Sequence, residues 1–354
     1  RDLRMSRGLG DVYKRQLYEG TWQKFRTGDV TRINDLLDIA AESAWEVIDS
    51  KQYEIFKPAE LGTDAYKYLF ILEDVQSNPA NIKKDKNKEY IFSRRHDEVI
   101  APIGKNITKN CFANVQWVTR KLAEMYLGAD GLPIDNAQST AGVDYSTPDN
   151  EYAKRDNRMT NTLMAPGRKY WNNNASHTTW TDADKAAFDN KDFYPTSGSG
   201  YNNQKWATER NVKDEYEGYD FPIIRYAEVL LNYAEAQNEA LAAPDKSVYD
   251  AINEVRDRAG QPGLPEGLSK DEMRIRIHNE RRVELCLEEH RFFDLRRWKE
   301  AATLRAPIKG MTVEFDGNNN NYKIVTIEER VFNENNYYLP IPHSETEKNP
   351  NLRQ

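Results

Sequence analysis

Residues 221–300 constrain the fold more than any other part of the chain. Their apolar residues recur at the three-to-four-residue spacing of amphipathic helices. The first helical stripe consists of Ile223, Ala227, Leu230, Leu231 and Ala234, and the second of Val248, Ile252, Val255 and Ala259. A third helical stretch follows over residues 279–298. Successive amphipathic helices bury their stripes against one another, so this run predicts packed helices.

Helix boundaries in this run are marked by turn residues. Pro244 and Asp245 separate the first two helices, and Gly260 follows the second, as glycine often does at a helix C-terminus. The two helices therefore form a hairpin of roughly 35 residues, the length of one tetratricopeptide unit. Residues 33–48 show the same helical spacing, with Asp29 or Thr31 as N-cap and residues 17–25 as the antiparallel partner. We predict a mainly α fold built on a tetratricopeptide-like scaffold of helix pairs.

The middle of the chain has a different character. Residues 77–81, 146–150, 171–177 and 196–203 are rich in Pro, Asn, Ser and Gly, which are turn and loop residues. Short helices are predicted at 64–71 and 114–127, and a few short strands within 305–348. We expect long irregular loop insertions on the scaffold, chiefly a loop-rich insertion at about residues 128–220, where binding surfaces usually lie.

A family resemblance runs through the chain in order. Its strongest segments are RYAEVLLNYAEAQNEA (225–240), NEVRDRAG (253–260), NERRVEL (279–285) and HRFFDLRRW (290–298). Further segments are LYEGTWQKF (17–25), KEYIFSRRHD (88–97), DGLPID (130–135), KRDNRM (154–159), MAPGRKYW (164–171), YYLPIPHSE (337–345) and NPNLRQ (349–354). Together they resemble the SusD/RagB family of outer-membrane nutrient-binding lipoproteins. The resemblance implies one SusD-like domain over residues 17–354, with an α/α superhelix.

Residues 1–16 are set apart from this domain. They contain five basic residues and no apolar run, and they resemble translated sequencing-adapter read-through. We expect a non-native or disordered tail. This tail has neither the apolar region nor the lipobox cysteine of a lipoprotein signal. The family resemblance implies a lipid-anchored protein on the cell surface, at the outer membrane, whose signal peptide and anchoring cysteine are absent from this sequence.

Composition and motifs exclude several classes of function. The formal charge is −7 and Lys and Arg are scattered, so the chain lacks the basic stripe of a nucleic-acid partner. Cys111 and Cys286 are too few for a disulfide framework and have no C-x-x-C spacing; we interpret them as separate buried thiols. There is no H-E-x-x-H, G-x-S-x-G or Walker motif. We therefore predict no enzyme, no cofactor and no metal ion.

The charged residues within 221–300 have two interpretations. Glu280 and Glu284 lie four residues apart on one helix face, as a catalytic or metal-binding pair of carboxylates would. Arginines lie within one or two turns of them, and arginine is the preferred bidentate partner of a carboxylate. We favour the interpretation that these are structural ion pairs between packed helices.

Aromatic rings in the middle of the chain are the candidate ligand-binding residues. Sugars stack their apolar faces on Trp and Tyr rings, while placed polar groups bind the hydroxyls. Five rings in a segment dominated by Asn, Thr, Ser, Asp and Gly fit this chemistry: Trp171, Trp180, Tyr194, Tyr201 and Trp206. The alternative is that these rings pack the irregular loops against the scaffold.

Several functions remain open from the sequence. The resemblance implies non-catalytic binding of an oligosaccharide or polysaccharide nutrient and its delivery to a SusC-like TonB-dependent outer-membrane transporter. Peptide cargo is a further possibility within the family, and a helical-repeat scaffold for protein partners is another. A glycan-degrading enzyme with aromatic subsites would need two carboxylates that flank the scissile bond. Its candidates are Asp182, Asp184, Asp189 and Asp192.

Overall fold

The structure, a computed structural model, describes residues 2–105, 107–112, 117–145, 148–165, 169–171, 177–179, 199–210, 212, 215–315, 320–337 and 341–352. Its helices there are α1 (Asp2–Arg26), α2 (Val30–Asp49), α3 (Ala65–Leu69), α4 (Ile107–Phe112), α5 (Arg120–Met125), α6 (Pro148–Tyr152), α7 (Asn157–Thr162), α8 (Tyr226–Ala240), α9 (Lys246–Arg258), α10 (Lys270–Glu284), α11 (His290–Arg297) and α12 (His343–Lys348). The strands are β1 (Tyr90–Arg94), β2 (Lys169–Trp171), β3 (His177–Thr179), β4 (Phe221–Arg225), β5 (Ile308–Phe315) and β6 (Asn320–Glu328). They form the antiparallel pairs β1–β4, β2–β3 and β5–β6. The predicted mainly α fold with a few short strands is confirmed.

Helix α8 lies at the centre of the scaffold. It contacts α2 on one side and α9 and α10 on others, and α2 packs in turn against α1. Small residues such as Ala44 on α2 and Ala227 and Ala234 on α8 are fully buried in the shared core. Small side chains at these contacts let the helix backbones approach closely. The predicted pairs of helices are therefore present both near the start of the chain and in the 226–284 region.

The helix ends follow the local sequence signals. The Asp29 carboxylate caps α2 by accepting a hydrogen bond from the Arg32 backbone N at 3.1 Å, and Asp245 caps α9 through the Ser247 backbone N at 3.0 Å. Gly260 follows α9 with φ of +67°, the left-handed conformation that glycine adopts without a Cβ clash. The predicted break between α8 and α9 is confirmed.

Two helix predictions in this run need correction. Ile223 lies in strand β4, not on the first helix, because Pro222 has no N–H for a helical hydrogen bond and the segment pairs with β1 instead. The third stretch is also two helices, α10 and α11. Leu287 and Glu289 between them have positive φ angles of 60° and 66°, which an α-helix cannot contain.

The first helix includes residues of the expected tail. Helix α1 begins at Asp2, and Tyr13 is 1% exposed and packs in the same core as Leu17. Tyr13 continues by one helical turn the apolar face that begins at Leu17. The expectation of a non-native or disordered tail over residues 1–16 stays a prediction. Within the described residues, no helix has the length and apolar character needed to cross a bilayer.

Candidate functional site

A buried cluster of ion pairs joins distant parts of the chain. We call it the arginine cluster, and it consists of Arg158, Arg225, Arg258, Glu89, Glu284 and Glu288. Their side chains are at most 6% exposed. They come from the segment before β1, from α7, β4, α9 and α10, and from the turn between α10 and α11. The cluster thus fixes the helical scaffold to the segments packed on it.

Three arginines surround the Glu284 carboxylate. Its Oε1 accepts hydrogen bonds from Arg225 Nη1 at 2.6 Å and from Arg258 Nη2, and its Oε2 accepts from Arg158 Nη1 at 2.9 Å. Burial raises the pKa of Glu284, but these three guanidinium groups outweigh it and hold the pKa well below its usual value. Glu284 is therefore ionised and fully paired.

The contacts of Glu280 and Glu284 show whether these two α10 carboxylates could act as catalytic groups. Glu280 pairs with Arg158 at 2.6 Å and with Arg256 at 3.1 Å, and both Glu280 and Glu284 are at most 1% exposed. A general acid or base must reach its substrate and exchange a proton with it. Neither carboxylate meets those conditions, so the prediction of structural ion pairs is confirmed.

Lys205 joins the arginine cluster to the segment at residues 199–206. Its ammonium group is fully buried and donates to Glu288 Oε1 at 2.6 Å and to the Cys286 carbonyl at 2.8 Å. Burial raises the pKa of Glu288, whereas Arg225 and Lys205 lower it, with a net pKa of about 2. Lys205 therefore holds the segment around residue 205 against the turn between α10 and α11.

The chain on the two sides of residues 166–198 is fastened together by backbone hydrogen bonds. The Met164 backbone N donates to the Asn202 carbonyl at 3.0 Å, and the Gln204 N donates to the Thr162 carbonyl at 2.7 Å. The Val118 N donates to the Tyr201 carbonyl at 3.1 Å. We call residues 117–118, 162–164 and 199–206 the insertion foot. Residues 166–198, to which we restrict the term insertion, therefore leave and rejoin the scaffold at one place.

Two of the five predicted ligand-binding rings lie buried in this foot. Tyr201 is 2% exposed, and its hydroxyl donates to Glu151 Oε1 at 2.7 Å. Trp206 is 7% exposed and packs on Phe70, with ring centroids 4.9 Å apart. The two rings belong to different core clusters. Protein covers both rings, which is the placement that the packing alternative predicts. A role of Tyr201 and Trp206 in ligand binding stays a prediction.

The side chains of the other three predicted rings lie outside the described residues. Trp171 lies in β2, where its backbone pairs with His177 of β3, but its side chain is outside the described residues. Trp180 and Tyr194 lie outside the described residues altogether, as do Asp182, Asp184, Asp189 and Asp192. A role of Trp171, Trp180 and Tyr194 in ligand binding stays a prediction.

Trp117 is an exposed ring that the sequence analysis missed. It is 44% exposed and forms an antiparallel bridge with Asn202 at the insertion foot. A helix over 114–127 was expected to carry it, but α5 begins only at Arg120, because Thr119 takes the N-cap position and accepts from the Leu122 N. A Trp two residues before a Thr N-cap was the available signal, since residues before a cap lie off the helix.

Buried carboxylates near the foot have hydroxyl and backbone partners. Glu217 accepts hydrogen bonds from the Thr108 N at 3.0 Å and from the Tyr219 hydroxyl at 2.9 Å. Burial raises the pKa values of Glu217 and of Glu151, the partner of Tyr201, above the usual range for glutamate. The described residues contain no group of three or more His, Cys, Asp or Glu side chains arranged to hold a metal ion.

These features define a helix-pair scaffold that presents one anchored insertion. The family model for the SusD family matches residues 73–354, and the chain belongs to that family. It is 34% identical over 138 residues to SusD-like protein P2 of Formosa agariphila, a match that covers 36% of this chain and 24% of the relative. SusD-like protein P38 of the same organism is 32% identical over 110 residues, covering 29% of this chain and 22% of P38.

Solved structures of similar fold are also SusD-like. A SusD-like protein from Bacteroides fragilis superposes with a TM-score of 0.69 at 23% identity, over 97% of this chain and 63% of that one. A SusD-like carbohydrate binding protein from the same species gives a TM-score of 0.63 at 24% identity, over 91% and 63%. The chain therefore spans about a quarter of the length of the two curated relatives and 63% of these solved chains.

Proposed function

We propose that this protein binds an oligosaccharide or polysaccharide at the cell surface without altering it. The observation that carries the proposal is the family match over residues 73–354, which includes both the arginine cluster and the insertion foot. One solved relative of the same fold is described as a carbohydrate binding protein. The paired, buried carboxylates of α10 provide no acid or base there.

The geometry supports a rigid foot that holds a variable binding segment. The chain on the two sides of the insertion is fastened together by backbone hydrogen bonds, and Lys205 ties the segment at residues 199–206 to Glu288. A fixed base reduces the entropy lost when a loop is ordered on a ligand. Trp117 offers a half-exposed ring at this base, onto which the apolar face of a sugar can stack.

Delivery of the glycan to a SusC-like TonB-dependent transporter is part of the same proposal. So is a lipid-anchored location on the outer membrane. Both rest on family membership. The expected result is that the protein copurifies with a TonB-dependent transporter from outer membranes solubilised in mild detergent. Recovery from those membranes without such a transporter would contradict the delivery step and leave glycan binding as a separate question.

Glycan binding without turnover is tested with one purified protein in two assays. The protein is applied to an array of polysaccharides and oligosaccharides, and each bound glycan is then incubated with it and assayed for new reducing ends. We expect binding with no new reducing ends. Turnover would contradict the proposal in favour of a glycan-degrading enzyme, and absence of binding to every glycan would contradict carbohydrate as the ligand.

Two tryptophans of equal exposure make a matched test of the site. Trp117 is 44% exposed at the insertion foot, and Trp45 is 45% exposed on α2. Removing a stacking ring from a sugar site costs about 1–2 kcal/mol of binding free energy. Isothermal titration should therefore show roughly tenfold weaker binding for Trp117→Ala and unchanged binding for Trp45→Ala. Equal losses in both variants would place the site elsewhere.

A further inference from the structure

A pocket of about 470 Å³ lies between α1, β4 and the turn that leads into α11. It is separate from the insertion foot. Its lining consists of Lys14, Tyr18, Phe221, Pro222, Ile223, Arg225, Glu228, Glu288, Glu289, His290 and Phe293. Phe221, Ile223 and Phe293 are 39%, 45% and 54% exposed, so the mouth of the pocket is apolar and largely aromatic.

A buried carboxylate lies inside this apolar mouth. Glu228 is 1% exposed, and its Oε1 lies 3.0 Å from the Lys14 ammonium and 3.8 Å from His290 Nδ1. Burial raises the pKa of Glu228, but His290 and Lys14 outweigh it and leave the pKa below its usual value. Burial also lowers the pKa of His290, which favours its neutral form. Lys14 is the closer of these two partners of Glu228.

Arg225, which also lines the pocket, pairs with carboxylates other than Glu228. Arg225 donates to Glu89, Glu284 and Glu288, through Nε and both terminal nitrogens. A buried carboxylate is costly without a cationic partner, and the Lys14 nitrogen, at 3.0 Å, is the nearer of the two nitrogens that pair with Glu228. Lys14 is also the one lining residue that comes from residues 1–16, which do not resemble the family, whereas the others lie in the family-like part of the chain.

We propose that this pocket is a binding site for a primary alkylammonium group, whose position the Lys14 side chain occupies in this chain. Glu228 receives the ammonium group, and Phe221, Ile223 and Phe293 cover the attached alkyl chain. An ammonium ion near aromatic faces gains cation–π attraction in addition to its ion pair. A neutral alcohol of the same length forms neither the ion pair nor the cation–π contact. The pocket should therefore bind the amine and not the alcohol.

The test uses the protein over residues 1–354 with Lys14→Met, which keeps an unbranched apolar side chain and removes the ammonium group. Isothermal titration with n-butylammonium should show at least tenfold tighter binding to Lys14→Met than to the unsubstituted protein. 1-Butanol should bind neither protein measurably. The additional substitution Glu228→Gln should abolish the gain.

Lys24→Met is the matched control. Lys24 lies on the same helix and pairs with the buried Glu239, with exposures of 30% and 3% against 33% and 1% for Lys14 and Glu228. Glu239 keeps a second partner in Arg274. We expect Lys24→Met to bind n-butylammonium no better than the unsubstituted protein. Equal gains in both lysine variants would overturn the proposal, as would a gain for 1-butanol equal to that for the amine.

Two additions keep the test decisive. If Lys14→Met does not fold alone, n-butylammonium but not 1-butanol should restore its far-UV circular dichroism spectrum, and failure to do so would overturn the proposal. A short peptide with one lysine, compared with the same peptide acetylated on that lysine, identifies the source of the group. Tighter binding of the lysine peptide than of n-butylammonium would assign the site to a polypeptide, and the reverse order to a free amine.

Discussion

The arginine cluster and the insertion foot both bury carboxylates, but they stabilise them in opposite ways. In the arginine cluster, Glu284 and Glu288 face guanidinium and ammonium groups, which hold their pKa values below the usual range. In and beside the foot, Glu151 and Glu217 accept hydrogen bonds from hydroxyl and backbone donors, and burial raises their pKa values. The scaffold is therefore held by charge, and the foot mainly by neutral hydrogen bonds.

This difference separates the parts of the molecule by role. Charge pairs among packed helices specify one arrangement of distant segments, because each unpaired partner would be left as a buried charge. The backbone hydrogen bonds named at the foot do not involve the side chains of residues 166–198. The scaffold therefore accounts for the fold, and the segment held by the foot is free to differ in sequence without disturbing it.

The largest expected effect is in the arginine cluster. Arg225→Met leaves Glu89, Glu284 and Glu288 without one of their cations, and we expect a loss of about 3–5 kcal/mol in the free energy of unfolding. Urea denaturation at pH 7 measures it. Lys246→Met is the control, because its pair with Asp250 is exposed and should change stability by no more than about 0.5 kcal/mol. Similar losses in both variants would remove the distinction between buried and exposed pairs.

The second prediction concerns acid stability. The pKa of Glu288 is about 2 in the folded protein against a usual 4.5, so its stabilisation is present above pH 4.5 and is lost as pH falls towards 2. A pKa that is raised in the folded protein has the opposite effect on the pH dependence of stability. Glu151 and Glu217 contribute stability that is present below pH 4.5 and is lost as pH rises through their folded pKa values.

Urea denaturation across pH 2–7 separates the two regions. We expect Glu288→Gln to reduce the fall in stability between pH 4.5 and 2, and Glu151→Gln to leave that window unchanged and alter the slope above pH 4.5. If both substitutions changed the same pH window, the two regions would not differ as described.

The smallest effect is expected from a single hydroxyl in the foot. Tyr201→Phe removes the donor to Glu151 and should cost about 1–2 kcal/mol of unfolding free energy. Tyr53→Phe is the control, since the buried Tyr53 hydroxyl has no hydrogen-bond partner within the described part of the chain and its loss should not destabilise. Thermal denaturation of the two variants compares them, and a greater loss for Tyr53→Phe would contradict the assignment.

Sequence periodicity predicted the scaffold well for a physical reason. The stripe of Val248, Ile252 and Val255 is fully buried, and Asp29 and Gly260 lie where capping chemistry places them. Ion pairs between residues far apart in the sequence could not be predicted from periodicity. Glu89 and Arg158 lie within family-like segments, but nothing local to either residue identifies Glu284 or Arg225 as a contact.

Exposure of aromatic rings was the least predictable property. Tyr201 and Trp206 have polar neighbours in sequence, yet both are buried, because tertiary contacts with Glu151 and Phe70 cover them. Trp117 has apolar neighbours such as Val118 and is half exposed. Local composition reports which residues surround a ring along the chain, whereas ligand stacking depends on which surround it in space.

The most direct test replaces residues 166–198 by a short Gly-Ser linker. Because Met164 and Asn202 are already hydrogen bonded, the linker can join the two ends without moving the foot. We expect an unchanged urea midpoint together with loss of glycan binding, measured on the glycan that the intact protein binds best. Full glycan binding by the shortened protein would contradict the assignment of recognition to this segment, and a large fall in the urea midpoint would contradict the independence of the scaffold.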